Sequence, residues 1–222
     1  MALLTGFGRE RTGQKMAVAA TKSNRTASKE ARRQQLIEAT IKCISTRGIG
    51  STTLGDVARE AGLSQGIVNL HFESKDNLFN ETLRYLAEEY KSLFEKTLEK
   101  SGPDAADKLL ALMELDLKPS VCDQKKIAVW FGFWGEVKAM PAYRKMCNDY
   151  DRGYDRVIER LSKEMIAEGK YDNINAKNIA DVLSSLTNGL WLSCLMSPKN
   201  WDRHAALDSV KGYLKSVFPQ HY

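Results

Sequence analysis

Three histidines (His71, His204, His221) and four cysteines (Cys43, Cys122, Cys147, Cys194) are scattered over this chain, with no C-x-x-C pair among them. That scatter excludes the ligand spacing of a structural zinc site and the dense disulfide framework of a small secreted domain. It predicts a reduced, cytoplasmic home. No H-E-x-x-H and no G-x-S-x-G occurs. Gly8 and Gly13 have the spacing of a phosphate-binding loop, but Gln14 stands where that loop needs lysine, and no strand-like run precedes it. With these constellations missing, the expectation is no enzyme, no cofactor and no metal. No run of about 18 apolar residues is present, so no membrane-spanning segment is read. The apolar stretch in MALLTGFGRERTGQK is too short for a secretion signal. Alternating β-branched runs are scarce, so no sheet is expected.

What is present is an ordinary globular balance, 43% hydrophobic and 27% charged, enough for a packed core. The net charge of +5 is unevenly placed. In the first fifty residues Arg9, Arg11, Lys15, Lys22, Arg25, Lys29, Arg32, Arg33, Lys42 and Arg47 face only Glu10, Glu30 and Glu38. Such asymmetry points to an anionic partner at that end, nucleic acid or a membrane surface, and composition does not choose between them. Residues 1–27, basic and poor in large apolar side chains, read as a disordered arm, with Met16 as an alternative start.

Ordered structure is expected from Ser28. Leu36, Ile37, Thr40, Cys43 and Ile44 repeat with helical period, and Gly48 supplies the stop. A second helix opens at Thr53, with Asp56 at the reciprocal position of a capping box, and sets Leu54, Val57, Ala58 and Ala61 on one face. Gly62-Leu63-Ser64 follows: a left-handed glycine, an apolar plug and a cap for the next helix. The third helix, Gln65 to about Leu70, turns Ile67 and Val68 inward and Gln65, Gly66, Asn69 and His71 outward. Ser74 caps a long fourth helix that ends near Lys100, before Gly102-Pro103. Further helices are expected near 104–116, 123–138, 141–169, 175–196 and 202–217.

Two short helices joined by a glycine-containing turn form a motif whose second helix enters the major groove. Gly66 would let that helix approach closely. Gln65 and Asn69 are the base readers, because a side-chain amide can donate and accept at one base edge. Ser64 and Gln65 stand at a helix N-terminus that favours phosphate; Thr52 and Thr53 offer hydroxyls, and Lys75 brings a cation to the same strand. Capped glycine turns also occur in proteins that bind no DNA, so the pattern alone leaves both readings open.

Thr52–Leu78, TTLGDVAREAGLSQGIVNLHFESKDNL, resembles the DNA-binding segment of the TetR family of bacterial repressors. The resemblance implies an all-α fold: a DNA-binding domain over residues 28–74, with its motif at about 53–72, joined to a ligand-binding and dimerisation domain over 75–222. It implies a homodimer on a palindromic duplex, with Gln65, Gly66 and Asn69 facing bases and Thr53, Ser64, His71 and Lys75 holding phosphates. Many members have tyrosine where this chain has Asn69, which bears on base preference.

In the larger domain, Ile179, Val182, Leu183, Leu186, Leu190 and Leu195, then Leu207, Val210, Leu214 and Val217, offer apolar surface for an internal core or a partner copy. Trp130, Phe133 and Trp134 fall at i, i+3 and i+4 of one helix. Trp191 adds a further ring, and Tyr143, Tyr150 and Tyr154 share a stripe. Aromatic faces attract cations without hydrogen bonds, which suits a quaternary ammonium group; the same rings can equally be core.

GIVNLHF, VWFGFW and GLWL together resemble the choline-responsive branch of the family, repressors of glycine betaine synthesis genes. That resemblance implies choline or a related quaternary ammonium inducer, caged by Trp130, Trp134 and Trp191, with Phe133, Tyr150 and Asn188 beside it. Asn188 stands where an acidic residue is expected, and Glu136 and Asp149 are the candidate substitutes. A regulator of efflux with another hydrophobic or cationic ligand is the rival within the family, and a pure interaction bundle the rival outside it.

Overall fold

The computed structural model describes residues 10–222, with side chains from residue 28 onward. Residues 1–9 of the expected basic arm lie outside the described residues, and so do the side chains of 10–27. Nine helices and no strand are found among the described residues. The backbone is helical from Glu10, ahead of Ser28 where the sequence reading starts ordered structure.

Helix α1 (Glu10–Arg47) buries Leu36, Ile37, Cys43 and Ile44, and Thr40 returns its hydroxyl to the Leu36 carbonyl at 2.7 Å. It stops where Gly48 takes φ +81°. Helices α2 (Leu54–Glu60) and α3 (Gln65–Phe72) pack on it through Val57, Ala58, Val68 and Phe72. Helix α4 (Lys75–Lys100) is capped by Ser74, whose hydroxyl oxygen accepts from Asn77 N at 3.1 Å. Its first half, Leu78, Phe79, Leu83 and Leu86, belongs to the amino-terminal core, and Phe94 to the other.

The carboxy-terminal bundle contains α5 (Ala105–Asp116), α6 (Gln124–Glu136), α7 (Pro141–Gly169), α8 (Ala176–Met196) and α9 (Arg203–Val217). The predicted segments match these bounds within about two residues, because each start carries a capping side chain or proline. Asp123 accepts from Lys125 N and Lys126 N, Asn175 from Asn178 N, and Asp202 from His204 N and Ala205 N. Their shared core holds Leu109, Leu112, Ile127, Ile158, Leu161, Leu183, Val210, Leu214 and Phe218.

Among the described residues, α8 is long and apolar enough to cross a membrane. It packs against α7 and buries Ile179, Leu183, Thr187, Trp191 and Cys194, as the core helix of a bundle does. Val182, Leu192 and Met196 remain exposed on its other side.

Candidate functional site

In the reading head the Thr53–Asp56 capping box forms as expected. Thr53 Oγ1 accepts from Asp56 N at 3.2 Å, and Thr53 N donates to Asp56 Oδ2 at 3.1 Å. The Thr53 hydroxyl also donates to Asp56 Oδ2 at 2.6 Å, and these bonds hold the Asp56 carboxyl below the usual carboxylate range. Thr52 differs from expectation. It is fully buried, and its hydroxyl donates to the Gly48 carbonyl at 2.8 Å, so it tightens the α1–α2 turn and offers nothing to a phosphate. Gly62 adopts φ +65° as the turn requires, and Leu63 N closes it on Ala58 O at 2.9 Å. Ser64 holds the cap position of α3 but makes no side-chain cap bond, which leaves its hydroxyl free at the exposed N-terminus.

Gln65, Gly66, Asn69 and Leu70 form the exposed arc of α3, opposite buried Val68 and Phe72. A Cβ added to Gly66 would meet only Ser64 Oγ at 3.7 Å, an ordinary contact. Nothing inside the protein therefore requires glycine there. His71 is half-buried with Nδ1 enclosed and unpartnered. Burial first, then Lys29 and Arg33, push its pKa below the ordinary histidine value and disfavour the charged ring. Lys75, in the first turn of α4, lies over the Phe79 ring at 5.1 Å. Arg33, Lys42 and Arg47 are paired with Glu81, Glu60 and Asp56.

A cavity of about 610 Å³ opens between α4, α5, α6, α7 and α8. Trp130, Trp134, Tyr150, Asn188 and Trp191 all line it, as the sequence reading expects, and Tyr90, Phe94 and Tyr154 complete the aromatic wall. Phe133 does not. It is fully buried against Phe79 and Tyr143, with ring centroids 6.4 and 4.8 Å away, in the core of the reading head. The reason is angular: i and i+4 lie about 40° apart on a helix and i+3 falls about 60° to the other side. Trp130 and Trp134 thus share the cavity face, while Val129 and Phe133 share the next one. Tyr143 leaves the tyrosine stripe for the same core.

The acidic group is one that sequence reasoning missed. Asp116, at the end of α5, is 1% exposed and lines the cavity. Tyr90 OH donates to its Oδ1 and Tyr154 OH to its Oδ2, each at 2.7 Å, with Thr187 Oγ1 at 3.5 Å. Burial pushes the Asp116 carboxyl up to about 6 despite these donors, which act in the opposite direction. The Tyr90 and Tyr154 hydroxyls are raised well above the ordinary tyrosine value, by burial and then by the Asp116 charge. Asp149 also lines the cavity, near its Lys145 partner, whereas Glu136 is not among its walls. Asp116 was detectable: Leu109, Leu112, Met113 and Asp116 fall at i, i+3, i+4 and i+7, an acid on the buried stripe of an amphipathic helix.

Comparison with known proteins matches two stretches of the chain to family models. Residues 36–82 match the model of bacterial regulatory proteins of the tetR family, and residues 105–219 that of the BetI-type transcriptional repressor C-terminal domain. The HTH-type transcriptional regulator BetI of Paraburkholderia xenovorans is 29% identical over 190 residues, covering 85% of this chain and 94% of that protein. Its counterpart in Pseudomonas aeruginosa PAO1 is 28% identical over 186 residues, covering 82% and 91%. Among solved structures, a transcriptional regulator from Saccharomonospora viridis in complex with choline superposes with TM-score 0.75 at 24% identity, covering 84% of this chain and 96% of that one. A transcriptional regulator from P. aeruginosa PAO1 gives 0.76 at 24%, covering 86% and 91%. The chain belongs to the TetR family of DNA-binding transcriptional regulators and carries a BetI-type carboxy-terminal domain.

Proposed function

We propose that this regulator is a homodimeric repressor that leaves a palindromic duplex when choline, or a related quaternary ammonium compound, enters the aromatic cavity. The observation that carries the reading is Asp116: a carboxyl enclosed by rings, held by two tyrosine hydroxyls, on the wall of a cavity of about 610 Å³. Burying a carboxylate with no counter-charge is costly. A cation that offers no hydrogen bond, enclosed by Trp130, Trp134, Tyr154 and Trp191, would neutralise that charge and be attracted by the ring faces. The choline held by the S. viridis regulator fits the same chemistry. By the resemblance of GIVNLHF, VWFGFW and GLWL to the choline-responsive branch, the genes controlled are those for conversion of choline to glycine betaine, and the protein acts in the cytoplasm on chromosomal DNA.

The exposed side of α8, with Val182, Leu192 and Met196, is the pairing surface in this reading, and α9 lies beside it. A two-fold dimer matches a palindromic site. Helix α6 is the link between ligand and DNA. It turns Trp130 and Trp134 to the cavity and Val129 and Phe133 to the reading-head core, and it packs along α1. Ligand capture that favours one setting of α6 changes the spacing of the two heads.

The test is a titration of choline against the protein bound to a duplex it has selected from a randomised pool, followed by tryptophan fluorescence and by duplex release. Choline-dependent release, with fluorescence saturating over the same range, is the expected result. A protein that selects a duplex but ignores choline in both signals would overturn the inducer assignment. One that selects none would overturn the reading altogether.

A further inference from the structure

Leu70 is 72% exposed, among the most exposed large apolar side chains of the described residues. At about 100° per residue it lies two positions from both Val68 and Phe72, and so points diametrically away from the side α3 buries. Gly66 is one turn earlier on the same line, and the polar readers Gln65 and Asn69 lie together along one side of it. The centre of the outward face is therefore a glycine that the protein's own packing does not require, followed by a leucine that it does not cover. A bare backbone at Gly66 lets the helix sink into a groove, and Leu70 then meets the groove floor. Leucine has no donor or acceptor, and the one apolar group on a base edge in the major groove is the C5-methyl of thymine.

We propose that Leu70 is a specificity-determining residue that packs against a thymine methyl in each half of the duplex. This rests on the DNA-binding reading above. Burying a methyl group on both sides of such a contact gives a preference of about three- to fivefold per half-site. It acts alongside the amide readers, and because Leu70 is exposed its truncation leaves the fold intact.

The experiment uses full-length protein and the duplex that it selects from a randomised pool. Each thymine is replaced in turn by deoxyuridine, which lacks only the methyl, and affinities are measured for the native protein and for Leu70→Ala. The expected result is one symmetry-related thymine pair whose replacement weakens native binding by about tenfold, both half-sites being changed together. Leu70→Ala should bind the unmodified duplex correspondingly less tightly and show no further loss at that pair, while other positions stay as sensitive as before. Unchanged unfolding temperature of the variant shows that the loss is one of contact. If the protein selects a duplex but Leu70→Ala abolishes sensitivity at no thymine, the proposal fails and the repressor reading stands. If no duplex is selected, both fail.

Discussion

The indole N–H of Trp191 donates to the main-chain carbonyl of Asp116 at 2.8 Å. A ring of the cavity wall on α8 is thereby tied to the backbone of the residue whose carboxyl lies on the same wall. Tyr90 and Tyr154 hold the carboxyl itself, so the ring and the acid are each anchored at the same residue.

Asp116→Asn should weaken choline binding by about 100-fold or more, as removing one member of a buried ion pair costs about 3–5 kcal/mol. The same change should leave the ligand-free protein equally or more stable at pH 7.5. The folded carboxyl keeps its proton up to about pH 6, whereas the unfolded one loses it near 3.8. Between those values the folded state binds more protons, so stability falls as pH rises, by about 3 kcal/mol at most. Thermal unfolding between pH 4 and 8 should show this slope in the native protein and a shallower one in the variant.

Choline affinity should itself depend on pH. A cation favours the ionised carboxyl, and at pH 5 only about one in ten Asp116 side chains is ionised if the value is about 6. Isothermal titration should find binding about tenfold weaker at pH 5 than at pH 7, a dependence that Asp116→Asn loses and that Asp151→Asn, at the other cavity carboxyl raised to about 6, retains. A flat profile would remove Asp116 from the ligand site.

Phe133 and Trp134 are neighbours in sequence and should behave oppositely. Phe133→Ala empties a fully buried position in the reading-head core and should cost about 3–5 kcal/mol of stability. Trp134→Leu should leave duplex binding near native and weaken choline by about three- to thirtyfold. Equilibrium unfolding and ligand titration on both variants separate the two roles.

Lys75→Ala should weaken binding to all duplexes alike and make the salt dependence shallower by about 0.9 in log–log slope for one lost phosphate contact. Thr52→Val should leave that slope unchanged and cost about 1 kcal/mol of stability, because its hydroxyl serves the Gly48 carbonyl. Gln65 and Asn69 replacements should instead change which sequence is preferred.

The helices were legible in the sequence because their limits are set locally, by Thr53, Ser74, Asp123, Asn175 and Asp202 as caps and by Gly48 and Gly62 as left-handed stops. The outward face of α3 was legible in part: Gln65, Gly66 and Asn69 are exposed as expected, whereas Leu70 at its centre is not read as outward and His71 is half-buried. Periodicity said which residues share a helix face, but not which of two cores that face would meet. Phe133 accordingly went to the wrong site. Thr52 and Thr53 look alike in sequence, and only the fold around Gly48 encloses one and exposes the other. The sequence reading does not name Asp116, although its register sets a charge on the buried stripe of α5. The partners that make it tolerable, Tyr90 and Tyr154, are 26 and 38 residues away.

Helix α6 presents one side to each half of the molecule, Trp130 and Trp134 to one and Val129 and Phe133 to the other. Hybrid repressors made by joining a foreign reading head at the start of α4 would inherit a mismatched seam along this helix. A graft that also carries over the residues meeting Val129 and Phe133, above all those of α1 and Phe79, should switch as the parent does, while a cut made by sequence alone should yield a protein that binds its inducer and stays on its duplex.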